Sequence, residues 1–287
     1  VKFGLNMVPV HPGHLRDAAV AAETLGYESL WVGEHVVVPY EPLSGYPSAE
    51  RPPFAPTSRF LEPFTTIGHL AGVTSTIRLG TGVLVLPLHE LHTLARAIAS
   101  ADVLSNGRLS LGIGVGWMRD EFDLVGQPFG DRGGRADEML AALDVLFNET
   151  RAAYRGEHYA FPEVGFEPKP VQRPHPPFLI GGASPAALRR AARFGDGWYG
   201  TNDPPDTIRR MLGEMTQLRA RFGRASAAFE VTAILGWGQA FDEDVVAAYA
   251  AAGVHRLVVT PWASSRDALR GIEEFATDAG LAPPGAP

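Results

Sequence analysis

The apolar residues of this chain recur in two rhythms. Short apolar runs bounded by glycine or proline read as strands buried on both faces, and runs with apolar residues every three to four positions read as helices laid against them. The central stretch shows both. Ile77–Leu86 is a β-branched, glycine-punctuated strand that Pro87 stops. Leu94, Ile98, Ala101 and Leu104 then share one helical face, and Asn106-Gly107 supplies residues tolerant of positive φ at its end. In a second strand, Leu109, Leu111, Ile113 and Val115 alternate with Gly112, Gly114 and Gly116. The bare glycines are expected to leave room for a flat ligand at the carboxyl ends of both strands.

The alternation runs through the whole chain. Further strands are predicted at Lys2–Met7, Glu28–Gly33, Phe178–Gly181, Trp198–Gly200, Val231–Leu235 and Leu257–Thr260. Helices are predicted on the stripe Leu15, Ala18, Ala22, Leu25, at Glu62–Ser75, at Glu138–Phe147, after Ser184-Pro185, around Ile208–Phe222, at Asp242–Ala252 and at Ser265–Ala276. Residues 36–61, with six prolines, and the stretch after Trp117, including an extended 154–177, form long excursions without helical period. The GLAPPGAP tail is expected to fray. Eight strands joined by crossovers predict one α/β domain over 1–287, a closed (β/α)8 TIM barrel with long insertions after strands 2 and 4. An open doubly wound sheet is the alternative. In a barrel both insertions lie on the carboxyl-terminal face, where active sites sit.

Composition narrows the chemistry. At 287 residues and 45% hydrophobic, the chain can bury one large core. A net charge of −7 with scattered cations argues against nucleic acid as a partner. The absence of cysteine removes disulfides, thiolate metal sites, Fe–S clusters and a cysteine nucleophile. No apolar run reaches membrane-spanning length and VKFGLNMV reads as a strand, so a cytoplasmic enzyme without a membrane partner is the expectation.

Glu34-His35, directly after the second strand, offers an acid and a proton carrier near neutral pH. Gly181, Gly182 and Ala183 open a helix, and glycine amides there suit an anion. Asn6 and Thr81 suit either a ring contact or a structural turn, and Trp117 either fills the barrel mouth or stacks on a ring. His89 and His92 lack a third ligand, so capping or solvent roles are expected and no metal site is predicted. Asp120-Glu121 reads as a solvated helix start, and Arg189, Arg190 and Arg193 as an exposed helix face. GIGVG lacks the last glycine of a dinucleotide fingerprint.

Three segments, WVGEHVVVP, RLGTGVLVLP with NGRLSLGIGVGWMRDEF, and IGGASPAALRRAARFGDGWYG, resemble the luciferase-like oxidoreductase superfamily over nearly the whole chain. Within it they are most similar to the branch that uses the deazaflavin coenzyme F420; FMN serves other branches. The resemblance implies that Glu34 and His35 are catalytic and face the reactive ring. It implies a bulge at Gly82-Val83, with a non-prolyl cis peptide, behind that ring. Gly116 and Trp117 would lie beside the ring and ribityl chain, and Gly181, Gly182 and Ala183 would receive the phosphate. The implied activity is hydride transfer between F420 and a small organic substrate, in a homodimer. An FMN-dependent monooxygenase and a non-catalytic cofactor-binding barrel are the alternatives. Arg189, Arg193 and Lys169 are the nearest cations in sequence for the acidic tail of the deazaflavin.

Overall fold

In the computed structural model, which describes residues 1–46, 52 and 54–282, strands and helices alternate as the hydrophobic pattern predicts. The order is β1 (Lys2–Asn6), α1 (Leu15–Leu25), β2 (Ser29–Val32), α2 (Pro63–Val73), β3 (Arg78–Val85), α3 (Leu91–Leu104), β4 (Leu109–Gly114), α4 (Arg119–Leu124) and α5 (Arg132–Asn148). There follow β5 (Ala152–Arg155), β6 (Ala160–Val164), β7 (Phe178–Gly181), α6 (Pro185–Phe194), β8 (Gly197–Gly200), α7 (Pro205–Arg221), β9 (Glu230–Trp237), α8 (Glu243–Ala251), β10 (Arg256–Thr260) and α9 (Ala268–Asp278). The expected fraying of the tail falls partly on 283–287, which lie outside the described residues, as do 47–51 and 53 of the long loop.

Eight strands close into a barrel in the order β1–β10–β9–β8–β7–β4–β3–β2, each pair parallel. Closure rules out the open sheet. The one departure within 154–177 is an antiparallel hairpin of β5 and β6 outside the barrel. Its turn is held by Glu138 of α5, which accepts the N–H groups of Glu157, His158 and Tyr159 at 2.7, 3.0 and 3.1 Å. Such a turn depends on a distant carboxylate and leaves no local sequence signal. Helix α5 begins at Arg132 rather than Glu138, because Gly133-Gly134 conceals its first turn from a pattern reading. No helix among the described residues is long and apolar enough to cross a membrane.

Alternate strand residues face outward. Leu5, Leu30, Leu79, Leu109, Leu111 and Ile113 are fully buried in the core cluster shared with the helices. The inward set stacks in layers. At the floor, Arg256 is 1% exposed and reaches Glu28 at 2.6 and 2.7 Å and Glu230 at 2.9 and 3.0 Å. Above it Trp31, Leu179, Tyr199 and Val258 pack together. Trp31 crosses so close to β3 that a Cβ on Gly80 would lie 2.6 Å from its ring. The guanidinium of Arg256 lies 5.4 Å beneath the same ring. This filled waist leaves the carboxyl-terminal mouth as the part of the barrel open to chemistry.

Candidate active site

The mouth is built from the ends of β2, β3, β4 and β7. The β3–β4 register shifts between Thr81 and Leu84, so β3 bulges there, and the Gly82–Val83 peptide is cis, as the resemblance implies. Val83 is half-exposed and stands over β4 and β7. A Cβ on Gly114 would lie 2.8 Å from Val83 Cγ2, and one on Gly181 3.3 Å from Cγ1. A Cβ on Gly116 would lie 2.5 Å from Phe122, and one on Gly112 would run into the Thr81 carbonyl. This corrects the sequence expectation: the space beside Gly112, Gly114 and Gly116 is filled by protein. Their bareness lets β3 and its valine sit close.

His35 follows β2 and its side chain is 10% exposed. Its ring lies against Phe54 at 4.6 Å, Phe60 at 5.0 Å and Trp117 at 6.1 Å between centroids. Tyr46 meets Trp117 at 5.2 Å. Trp117 therefore meets its neighbours edge-on and walls the mouth. Phe54, Phe60 and Tyr46 come from the proline-rich loop, which folds over the mouth as a loop of that length often does.

Two acidic residues at the start of α4 hold that loop, contrary to the solvated role expected of them. Glu121 is 2% exposed and accepts Val36 N–H at 2.6 Å, with His35 Nδ1 3.2 Å away. Asp120 accepts Leu43 N–H at 2.8 Å, Ser44 N–H at 3.0 Å and the Ser44 hydroxyl at 2.6 Å. The Ser44 and backbone hydrogen bonds hold the Asp120 carboxyl below its usual range. The position of Asp120-Glu121 just past a strand-end glycine run was the available signal. Helix-start composition outweighed it.

Glu34 is buried, but its carboxylate serves β3. It accepts Val85 N–H at 2.6 Å and lies 2.8 Å from His89 Nε2. His89 is thus neither a solvent residue nor a cap. Burial pushes its imidazolium pKa down, but the Glu34 carboxylate outweighs burial and the pKa is raised. The cap of α3 is Glu90, which accepts His92 and Thr93 N–H at 3.0 and 2.7 Å. Asn6 and Thr81 take the structural option. Asn6 Oδ1 accepts Val8 N–H at 3.1 Å, and the buried Thr81 hydroxyl donates to Gly112 O at 2.8 Å. Gly82 admits the Tyr199 phenol beneath it, 2.5 Å from where a Cβ would stand. The Gly116 carbonyl accepts Arg132 Nε at 3.1 Å.

On the opposite rim, Gly181 and Gly182 are half-exposed and Ala183 and Ser184 exposed. Gly182 has φ +105°, which glycine adopts without strain. Its carbonyl accepts the buried Trp198 indole N–H at 2.9 Å. In a planar trans peptide the next N–H points the opposite way, so Ala183 N–H is directed away from the core. Ser184 Oγ caps α6 by accepting Ala187 N–H. This turn has the donors an anionic group needs.

The expected tail cations are elsewhere. Lys169 donates to the Leu146 and Glu149 carbonyls at the end of α5, Arg193 lies in the last turn of α6, and the Arg189 guanidinium rests 5.0 Å over the Phe222 ring at the end of α7. Arg190 is buried against Asp137 and the Gly133 carbonyl, not on an exposed face. At the mouth, the guanidinium groups of Arg119 and Arg132 lie over the Phe129 ring at 4.7 and 3.7 Å. Neither has a carboxylate partner among the described residues.

A closed (β/α)8 barrel thus carries an imidazole, an apolar valine and a half-exposed glycine turn around one mouth. The chain belongs to the luciferase-like monooxygenase family, whose model matches residues 4–285. An uncharacterised protein of Mycobacterium tuberculosis is 34% identical over 75% of this chain and 74% of its own length. Among solved structures, the coenzyme F420-dependent tetrahydromethanopterin reductase of Methanopyrus kandleri has a TM-score of 0.76 at 17% identity, covering 96% of this chain and 97% of that one. A riboflavin lyase with modified FMN has a TM-score of 0.76 at 15% identity, covering 98% and 92%. The structural likenesses establish the shared fold.

Proposed function

We propose that this family member is an oxidoreductase that uses the deazaflavin F420 to transfer a hydride to or from a small organic substrate. The open anion turn carries this reading. Ala183 and Ser184 are exposed rather than enclosed, so a group attached beyond the phosphate has an outlet. FMN ends at its phosphate, whereas the deazaflavin continues into an acidic tail. Arg119 and Arg132, free of carboxylate partners among the described residues, offer that tail positive charge at the mouth.

The deazaflavin, when bound, supplies the hydride carrier. The residues of the chain bind, orient and move a proton. Val83 gives the ring an apolar ledge, and Gly182–Ser184 hold its phosphate. His35 takes the hydroxyl proton when an alcohol carbon gives up its hydride, and returns it in the reverse direction. Glu34 acts indirectly by fixing Val85 and the exit of the bulged strand. Phe54, Phe60 and Trp117 keep water from the transferring atoms. FMN is the second reading, favoured by the FMN-containing neighbour of the same TM-score. Titrating the apoprotein with F420 and with FMN, read by fluorescence, tests the choice. Saturable F420 binding, and a reduced complex that consumes no oxygen, are expected. FMN binding alone, with oxygen consumption, contradicts the proposal.

A further inference from the structure

We propose that Glu121 is the positioning residue that sets the tautomer of His35, an inference that rests on His35 acting as the proton carrier above. The Glu121 carboxylate lies 2% exposed in the first turn of α4. One oxygen accepts Val36 N–H at 2.6 Å and Val37 N–H at 3.4 Å, and the other faces His35 Nδ1 at 3.2 Å. An ionised carboxylate has only acceptor sites, so the neutral imidazole must keep its proton on Nδ1. Nε2 is then left with a lone pair, ready to accept the substrate proton.

Among the described residues, no other neighbour does this work. Phe54, Phe60 and Trp117 present ring edges or faces to the imidazole. Glu34, next to His35, is occupied by Val85 and His89, and Asp120 by Leu43 and Ser44. Tyr46 packs its ring edge-on against Phe54 and Trp117. Among the described residues Glu121 is the one charged group hydrogen-bonded to His35. The same carboxylate anchors the root of the long loop, so the seated loop and the aimed imidazole share one support.

E121Q separates the tautomer from the anchoring. The glutamine carbonyl can still accept Val36 N–H, but its amide turns a donor toward Nδ1, which favours the proton on Nε2. The test uses nitrogen-15 histidine spectra of the full chain as wild type and E121Q, with His35→Gln to identify the signals. In the wild type the neutral His35 should carry its proton on Nδ1. In E121Q the proton should move to Nε2, because the glutamine amide now donates toward Nδ1. Turnover should fall roughly 10²-fold with cofactor affinity kept. A wild-type proton on Nε2, or E121Q spectra matching the wild type, overturns the proposal. Failure of the wild type to bind either cofactor overturns the proposed function instead, while the spectra, taken without cofactor, decide the tautomer either way.

Discussion

The two ends of the barrel use charge in opposite ways. At the floor, Arg256, Glu28 and Glu230 satisfy one another in an array of short hydrogen bonds, with Lys2 3.5 Å from Glu230. At the mouth, the carboxylates of Glu34, Asp120 and Glu121 mostly accept backbone N–H groups of other segments. These bonds hold loops and aim one imidazole. Guanidinium groups at the rim rest on an aromatic ring rather than on a carboxylate. Charge paired with charge makes a foundation, and charge spent on backbone makes a site whose parts can be placed independently.

The sharpest break between the two ends should come from His35→Ala. Turnover is expected to fall by about 10²–10⁴-fold, the usual worth of a positioned acid or base, with the urea midpoint and cofactor affinity near wild type. Arg256→Met should do the reverse. It leaves two glutamates together at the floor and is expected to cost about 3 kcal/mol in urea unfolding, while the folded fraction still binds cofactor. The same variant should alter the acid limb of stability. Burial pushes the Glu28 carboxyl up, but the Arg256 guanidinium outweighs it, and the pKa is lowered. Its contribution is therefore full above the ordinary glutamate value and is lost as pH falls through the lowered one. R256M should flatten that limb.

Smaller effects refine the comparison. Gly182→Ala places a side chain at φ +105°, and cofactor binding should weaken by about tenfold, corresponding to strain of about 1–2 kcal/mol. The same strain should lower the stability of the cofactor-free chain by about 1–2 kcal/mol in urea unfolding. Glu90→Ala removes a cap from α3 and should cost about 1 kcal/mol at neutral pH. The Glu90 carboxyl is pushed up by burial, but the His92 and Thr93 amides outweigh this and hold it at about 2. The difference from wild type should persist at neutral pH and fade as pH falls toward that value, read by thermal unfolding across pH.

The fold was legible because its signals are local. Strand runs such as FLIG and helix starts such as Ser184-Pro185 carry their own period and caps, and Phe178–Gly181 falls on the predicted residues. The Gly82-Val83 bulge was implied by the family resemblance, and the helix start after Gly181–Ala183 was legible from Ser184-Pro185. The site was hidden where function depends on which distant partner a side chain finds. Nothing local distinguishes Glu121, bonded to a histidine 86 positions away, from a solvated helix start. Glu34 and His89, 55 positions apart, were hidden likewise. Glycine was misleading in one respect: the space beside Gly114 belongs to Val83, and sequence alone does not say which neighbour fills it.

The most direct test is a crystal structure of the chain with F420. The ring should lie on Val83 with its reactive edge toward His35, and the phosphate should meet Gly182–Ser184, the floor around Arg256 remaining unchanged. A ring away from Val83, or a phosphate bound anywhere but that turn, would contradict the account.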